Sequence, residues 1–411
     1  MQEMDMAGGP LEGVRIIDLT SVVVGPLCTR TLADYGADVI KVESPSGDLG
    51  RNIGGRGRTE NMGPKFLHLN RNKRSVVLDL KQPAGREALL KLVETADVLL
   101  WNVRPDSMER MKLSYEDVRK VNPKIIYCGM FGFGQDGRYR SKPAYDTIIQ
   151  GSSGLSALLH RAVGEPRYVP IVMCDRTVGL IAVQMIVMAL FARTRTGEGQ
   201  SIQIPMFENM AAFVLDEHMY QATFDPPIEG TPAEHGGTGD PRLLDPDGRP
   251  LPTKDGWVCV SANTNAQAFG FFKAVGRPEL ITDPRFSSVA ARHRNVKAYF
   301  AIRIEALKDR TTAEWLEIFD TADVPAMPYH TLESLLEDPH LAEAGFFEWK
   351  DHPTEGRIRN MRVPNKLSGG VRADWRPAPK LGADSREVLA EAGYDAATID
   401  RMIAEGITVA R

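Results

Sequence analysis

Along the first third of the chain, short unbroken apolar runs alternate with amphipathic stretches. Residues 14–19 read as a continuous apolar strand carrying Asp18, residues 26–35 as a helix closed by Gly36, and residues 38–43 as the next strand. Strand, helix and strand in so short a span predict a βαβ unit with a parallel sheet. The alternation continues, with strands over 74–80, 98–101 and 125–130 and helices over 83–96 and 115–121. The expected fold class is therefore α/β, with a doubly wound, Rossmann-like large domain. Residues 224–251 then turn rich in Pro, Gly and Asp, and a strand over 257–262 precedes helices over 266–275, 296–307 and 312–319. That texture predicts a smaller α+β domain. The expected boundaries are 1–206 for the large domain, 207–331 for the small domain with its linkers, and 332–411 for a C-terminal part ending in a helix over 385–392.

The longest apolar run covers residues 180–192, interrupted only by Gln184, and ends in Arg193-Thr194-Arg195 with Gly197 beyond. Its start, middle and stop signals predict a buried interior helix. From Val178 the apolar stretch is about fifteen residues, short of the roughly twenty that span a bilayer. Asp175 stands just before it, as the expected N-cap or first-turn residue. There the helix amides and dipole are expected to hold it ionised. An ionised carboxylate beside apolar walls is a competent nucleophile toward an activated acyl group, with a plain helix cap as the alternative.

Composition narrows the setting. At 411 residues, 43% hydrophobic and 25% charged, the chain can bury a sizeable core. A net charge of −4 gives no global attraction to nucleic acid or to an anionic membrane, so neither is expected as a partner. Cys28, Cys128, Cys174 and Cys259 are far apart without a Cys-x-x-Cys pair, which argues against a zinc site and for a reducing, cytoplasmic compartment. Residues 1–10 lack the apolar core of a secretory signal. The single G-x-G-x-x-G match, at 132–137, opens onto no helix start, which excludes the nicotinamide-enzyme reading.

Several motifs recur in an ordered set: residues 11–20, Gly25-Pro26, residues 35–43, Asn70-Arg71-Asn72-Lys73-Arg74-Ser75, Lys142-Pro143-Ala144-Tyr145-Asp146, Cys174-Asp175-Arg176-Thr177-Val178-Gly179, residues 195–206, Asp255-Gly256-Trp257, residues 283–286 and residues 378–382. On these the chain resembles the class III CoA-transferases, the formyl-CoA transferase and carnitine CoA-transferase group of the CaiB/BaiF superfamily, over nearly its whole length. The resemblance implies transfer of CoA from an acyl-CoA, such as succinyl-CoA or another dicarboxylyl-CoA, to a free carboxylic acid. It places covalent anhydride and thioester intermediates on Asp175, takes the coenzyme A thioester as substrate with no tightly bound cofactor and no metal, and implies an interlocked, ring-like homodimer.

The basic stretch from Arg51 to Arg74 carries seven cations against Glu60, interleaved with glycines. Arg71, Lys73 and Arg74 are its candidates for the phosphates of CoA. The resemblance adds Asn102, Arg104 and Met111 at the adenine side. It also implies that Gly236, Gly237 and Gly239, with Thr238 departing from an all-glycine run, lay backbone N–H groups over the site as a mobile cover, while the helix start at Asp175 supplies further oxyanion donors. Val23 stands where formyl-CoA transferase carries a side-chain amide, which argues against oxalate and formate. At Tyr145-Asp146 the racemase branch has a His before the Asp, and a phenol is no base near neutral pH. An α-methylacyl-CoA racemase or related isomerase is therefore the alternative that lacks its second base, and a non-catalytic CoA-binding protein is the third reading.

Overall fold

A computed structural model of the chain describes residues 8–231, 234–368, 370 and 374–410. It divides into two compact units, one comprising the chain up to Ser153, Val169–Ala212 and the chain from Gly345, the other Gly154–Tyr168 and Phe213–Ala344. The boundaries expected at 206 and 331 differ from these. Residue 206 opens a helix, and 154–168 belongs to the second unit.

The chain runs through β1 (Arg15–Asp18), α1 (Val24–Asp34), β2 (Asp38–Glu43), α2 (Pro64–Asn70), β3 (Lys73–Val77), α3 (Pro83–Glu94), β4 (Val98–Trp101), α4 (Pro105–Arg110), α5 (Tyr115–Val121), β5 (Ile126–Phe131), α6 (Asp146–Ser152), α7 (Leu155–Val163), α8 (Met173–Thr196), β6 (Gln200–Pro205) and α9 (Met206–His218). The six strands form one parallel sheet in the order β3-β2-β1-β4-β5-β6. Ile16, Ile17, Ile40, Val98, Leu99 and Leu100 are all fully buried, as strands covered by helices on both faces require. Strand order reverses between β1 and β4, so their C-terminal ends flank a crevice.

α8 corrects the expectation of an interior helix. It extends over 24 residues, and only one side is covered, through Cys174, Val178, Ala182, Ile186 and Ala189. Leu180, Val187, Met188 and Phe191 form an exposed apolar stripe along the other side. Its length and composition are sufficient to cross a bilayer, yet one face packs on α1, α6, β5 and β6.

The second unit holds β7 (Leu251–Pro252), β8 (Trp257–Val260), α10 (Asn265–Ala274), α11 (Val289–Arg294), α12 (Val296–Ala306), α13 (Thr312–Thr321), β9 (Ala326–Pro328), α14 (Leu332–Leu335) and α15 (Pro339–Glu343), besides α7. Its three strands pair antiparallel as β7-β8-β9 over a core of Phe271, Phe272, Phe286, Trp315 and Phe319. Capping boxes at Thr264 with Gln267 and Thr311 with Glu314 start α10 and α13, satisfying amides that a helix start leaves open.

From Gly345 the chain rejoins the first unit as the hairpin β10 (Phe347–His352) and β11 (Gly356–Met361), followed by α16 (Ser385–Glu391) and α17 (Ala396–Ala404). This tail closes the edge strand β3. Asp384 Oδ2 accepts from Ser75 N at 2.7 Å, Ser385 Oγ accepts from Val77 N at 3.2 Å, and Thr408 Oγ1 donates to Val77 O at 2.7 Å. Backbone groups that an edge strand would present to another chain are thereby occupied.

Candidate active site

The start of α8 is held by a different aspartate from the one the helix signals suggest. Asp146, the first residue of α6 and buried, accepts through Oδ1 from Cys174 N at 2.8 Å and Asp175 N at 3.0 Å. Its Oδ2 accepts from Gln150 Nε2 at 2.7 Å, and Gln150 Oε1 accepts from Val169 N at 2.9 Å, which ties down the segment leading into α8. Met173 N donates to Ile171 O at 2.7 Å and Arg176 N to Val172 O at 3.1 Å. The first-turn amides are thus all committed, and the expectation that they serve as oxyanion donors beside Asp175 is corrected.

Asp175 is consequently a first-turn residue without a capping role. Its carboxylate accepts no hydrogen bond among the described residues. Burial pushes its pKa up to about 7, reinforced by the Asp146 carboxylate and opposed by Lys65 and Arg176. The helix start therefore does not hold this carboxyl in the usual carboxylate range: desolvation and a like charge raise it.

Asp175 opens on a cleft of about 260 Å³ at the C-terminal ends of β1, β4 and β5. Three loops build it. The turn after β1 contributes Val22 and the buried Val23; Val22 takes a left-handed φ of 70° and donates its N–H to Asp48 Oδ1 at 3.0 Å. Left-handed backbone in a β-branched residue is a real cost, sustained here by that carboxylate. Asn102, at the end of β4, grips the same turn through Ser21 N at 3.0 Å and Ser21 O at 2.9 Å. It lines the cleft as a positioning residue. No side chain caps α1, whose first residue Val24 also faces the cleft.

Arg104, Arg140 and Lys142 stand exposed in the walls, with no ion pair among the described residues. Tyr145 joins them, 72% exposed. Met111 instead packs against the core under the sheet and does not line the cleft. In the sequence Lys65 stands only as one of the seven cations of the basic stretch and Lys142 and Arg176 only as motif members, and neither Arg140 nor Gln150 is singled out. Of these, Gln150 carried a signal, four residues after Asp146 on one helix face.

The phosphate-binding role expected of Arg71, Lys73 and Arg74 is not supported by their surroundings. All three are buried and paired: Arg71 with Asp34 at 2.8 Å, Lys73 with Asp18 at 3.1 Å, and Arg74 with Asp38 at 2.7 Å and Glu391 at 2.6 Å. Burial lowers the Lys73 ammonium to about 8, and Asp18 sits at about 2 because Lys73, Lys41 and two threonine hydroxyls outweigh its own burial. A buried, paired cation holds the fold and presents no charge to a ligand. Within the same stretch Arg56 and Arg58 are exposed, while Arg51 is buried against Glu43 at 2.6 Å.

The glycine loop lies in the second unit. Gly236, Gly237 and Gly239 have φ of 61°, 74° and 93°, the conformation that calls for glycine. Thr238 is fixed there, its Oγ1 donating to His235 O at 2.7 Å and its carbonyl accepting from Arg161 at 3.1 Å. Among the described residues no group of three or more His, Cys, Asp or Glu is placed to hold a metal ion.

Residues 11–385 match the model of CoA-transferase family III. The chain is 31% identical to the succinyl-CoA:glutarate CoA-transferase of Mus musculus, over 97% of its own length and 90% of the relative's. It is 34% identical to the succinyl-CoA–D-citramalate CoA-transferase of Chloroflexus aurantiacus, over 93% and 94%. Among solved structures, the D175A mutant of Rv3272 from Mycobacterium tuberculosis superposes with a TM-score of 0.78 at 26% identity, covering 92% of this chain and 98% of that one.

Proposed function

The chain belongs to CoA-transferase family III, and from that membership we propose that it moves CoA from a succinyl-type dicarboxylyl-CoA to a free dicarboxylic acid, with Asp175 as the covalent carrier. The observation that carries the reading is Asp175 itself: a carboxylate relieved of capping, desolvated, with a pKa of about 7, opening on a cleft at the C-terminal edge of a parallel sheet. Raised basicity makes the ionised form a stronger nucleophile toward a thioester carbonyl.

Transfer then needs no cofactor. An Asp175 oxygen attacks the donor's thioester carbon, the C–S bond breaks, and CoA leaves as thiolate from a mixed anhydride. The thiolate attacks Asp175 Cγ, releasing the donor acid and leaving an aspartyl-CoA thioester. The acceptor carboxylate attacks that carbonyl to form a second anhydride and free the thiolate once more. Attack of the thiolate on the acceptor's acyl carbon yields the new acyl-CoA and restores Asp175. Each bond formed is matched by one broken, and no net proton moves.

Oxyanion donors come, in this reading, from the α1 start at Val24 and Gly25, since α8 has none free. At about 260 Å³ the cleft is below the ~300–1,000 Å³ usual for a drug-sized ligand, which suits the acyl end of CoA with its nucleotide outside. Arg104, Arg140 and Lys142 offer countercharge to CoA phosphates and to the far carboxylate of a dicarboxylic acid. The doubly wound, Rossmann-like description is favoured by the strand order, and an interlocked homodimer by the apolar stripe of α8. Four free cysteines favour a reducing, cytoplasmic setting. The isomerase alternative finds no second base: the described cleft residues include no histidine, and both Asp146 oxygens are engaged.

The test is a panel of free acids offered to the purified protein with succinyl-CoA, read by mass. Glutarate-like acceptors are expected to become thioesters, and hydroxylamine added with acyl-CoA alone is expected to modify Asp175. Rapid inversion of a 2-methylacyl-CoA without any acceptor, or an acyl group found on Cys174 Sγ that hydroxylamine removes as the free acyl hydroxamate, would refute the reading.

A further inference from the structure

The second unit carries a half-open cavity of about 550 Å³ to which the transfer chemistry assigns no part. Four arginines line it, Arg242, Arg249, Arg292 and Arg303, against a single carboxylate, Asp247, which lies 3.6 Å from Arg249 at the partly exposed rim. Arg292 and Arg303 are only 3% and 8% exposed, and neither has an ion pair among the described residues. Arg292 donates to Phe286 O at 2.9 Å, Asn263 O at 3.2 Å and Asn265 Oδ1 at 3.0 Å. Arg303 donates to Val260 O at 2.6 Å, while its Nε, like that of Arg242, is buried without a partner. The two buried guanidiniums flank one ring, their central carbons 5.9 and 5.4 Å from the centroid of Tyr299.

A buried guanidinium without countercharge is unfavourable, and carbonyl dipoles and aromatic faces offset only part of the lost hydration. Burial holds both arginines below the usual guanidinium range, with Tyr299 the only group opposing it. What is missing is full negative charge. A neutral occupant would leave that excess in place and a cation would add to it. Apolar walls at Val289, Val296 and Phe300 also require a body that is more than an ion.

We propose that this cavity binds a small polyanion, two or more carboxylate or phosphate groups on a short apolar skeleton, whose oxygens pair with Arg303, Arg292 and Arg242. The guanidinium fork matches either oxyanion. No residue of the Asp175 cleft enters the argument, so this inference stands or falls apart from the transferase reading.

Cys259 supplies a readout that does not depend on turnover. It lines the cavity and is exposed, whereas Cys28, Cys128 and Cys174 are buried and their thiols pushed up by that burial. The full chain is treated with an aromatic disulfide reagent in the presence of succinate, citrate, inorganic phosphate or a sugar phosphate, with ionic strength matched by chloride and Cys259→Ala identifying the labelled thiol. At a concentration about four times Kd, mass action slows labelling about fivefold. Arg303→Gln is expected to remove that protection. The double variant R242Q/R249Q, at a half-buried and an exposed position outside the aromatic core, is expected to weaken it and covers the case in which R303Q does not fold. Protection by the carboxylates alone identifies a polycarboxylate, and by the phosphates alone a phosphate ester; either upholds the site. Absence of protection by all four, equal protection by chloride, or undiminished protection in the folded variants overturns it.

Discussion

Asp175 shows how a position can be legible while its chemistry is not. Start signals and the apolar run place it in the first turn of α8, but its proton affinity depends first on burial and then on Asp146, whose approach is a tertiary event 29 residues away. The sign of the pH effect follows. A carboxyl raised from 3.8 to about 7 binds its proton more tightly in the folded state, so folding loses stability as pH rises through that window. Above it the cost is complete, roughly 4 kcal/mol at 1.36 per unit. Asp175→Asn is therefore expected to abolish transfer, to raise the melting temperature by a few degrees near about pH 8, and to leave it unchanged near about pH 4. Scanning calorimetry at the two pH values checks this. Asp146→Asn keeps an oxygen for Cys174 N and Asp175 N but removes the like charge. The acid limb of kcat/KM is expected to move down by roughly one unit, a displacement that mere loosening of α8 would not produce.

At the scale of elements, β1, β4 and β5 were legible from their apolar runs, β2 from Val39, Ile40 and Val42 between charged ends, and α3 from its amphipathic spacing. β6 was not, because Gln200, Ser201 and Gln203 face outward and break the run on which the other strands are recognised. α2 was hidden inside the basic, glycine-bearing stretch. There the residue types were plain, but their partners Asp34, Asp18 and Asp38 lie on other elements, and partnership decides whether a cation is structural or free. Lys73→Met is accordingly expected to destabilise the fold by about 3 kcal/mol, because buried Asp18 loses its ion-pair partner and keeps only the Thr20 and Thr29 hydroxyls and the field of Lys41, measured by urea unfolding. Arg140→Gln is expected to leave stability unchanged and to raise KM for acyl-CoA several-fold, measured by initial rates. A raised KM in a fully stable Lys73→Met would reinstate the basic stretch as the CoA site.

For the whole molecule, the exposed stripe of α8 is the feature to test. Four apolar side chains in a row on one face seldom remain in water, and a second copy is the partner proposed. Replacing Leu180, Val187, Met188 and Phe191 with serine is expected to yield monomers by light scattering, with the sheet intact by circular dichroism. The closure of β3 by residues 384–408 carries a further consequence, for birth rather than for catalysis. A ribosome makes the sheet's outer strand more than three hundred residues before the groups that cover it. Throughout elongation that margin is open to strange strands, and Arg74 lacks Glu391. Translation stalled in the second unit should therefore leave a sticky, unfinished sheet, and a chain cut before Asp384 should collect in inclusion bodies although every cleft residue has been made.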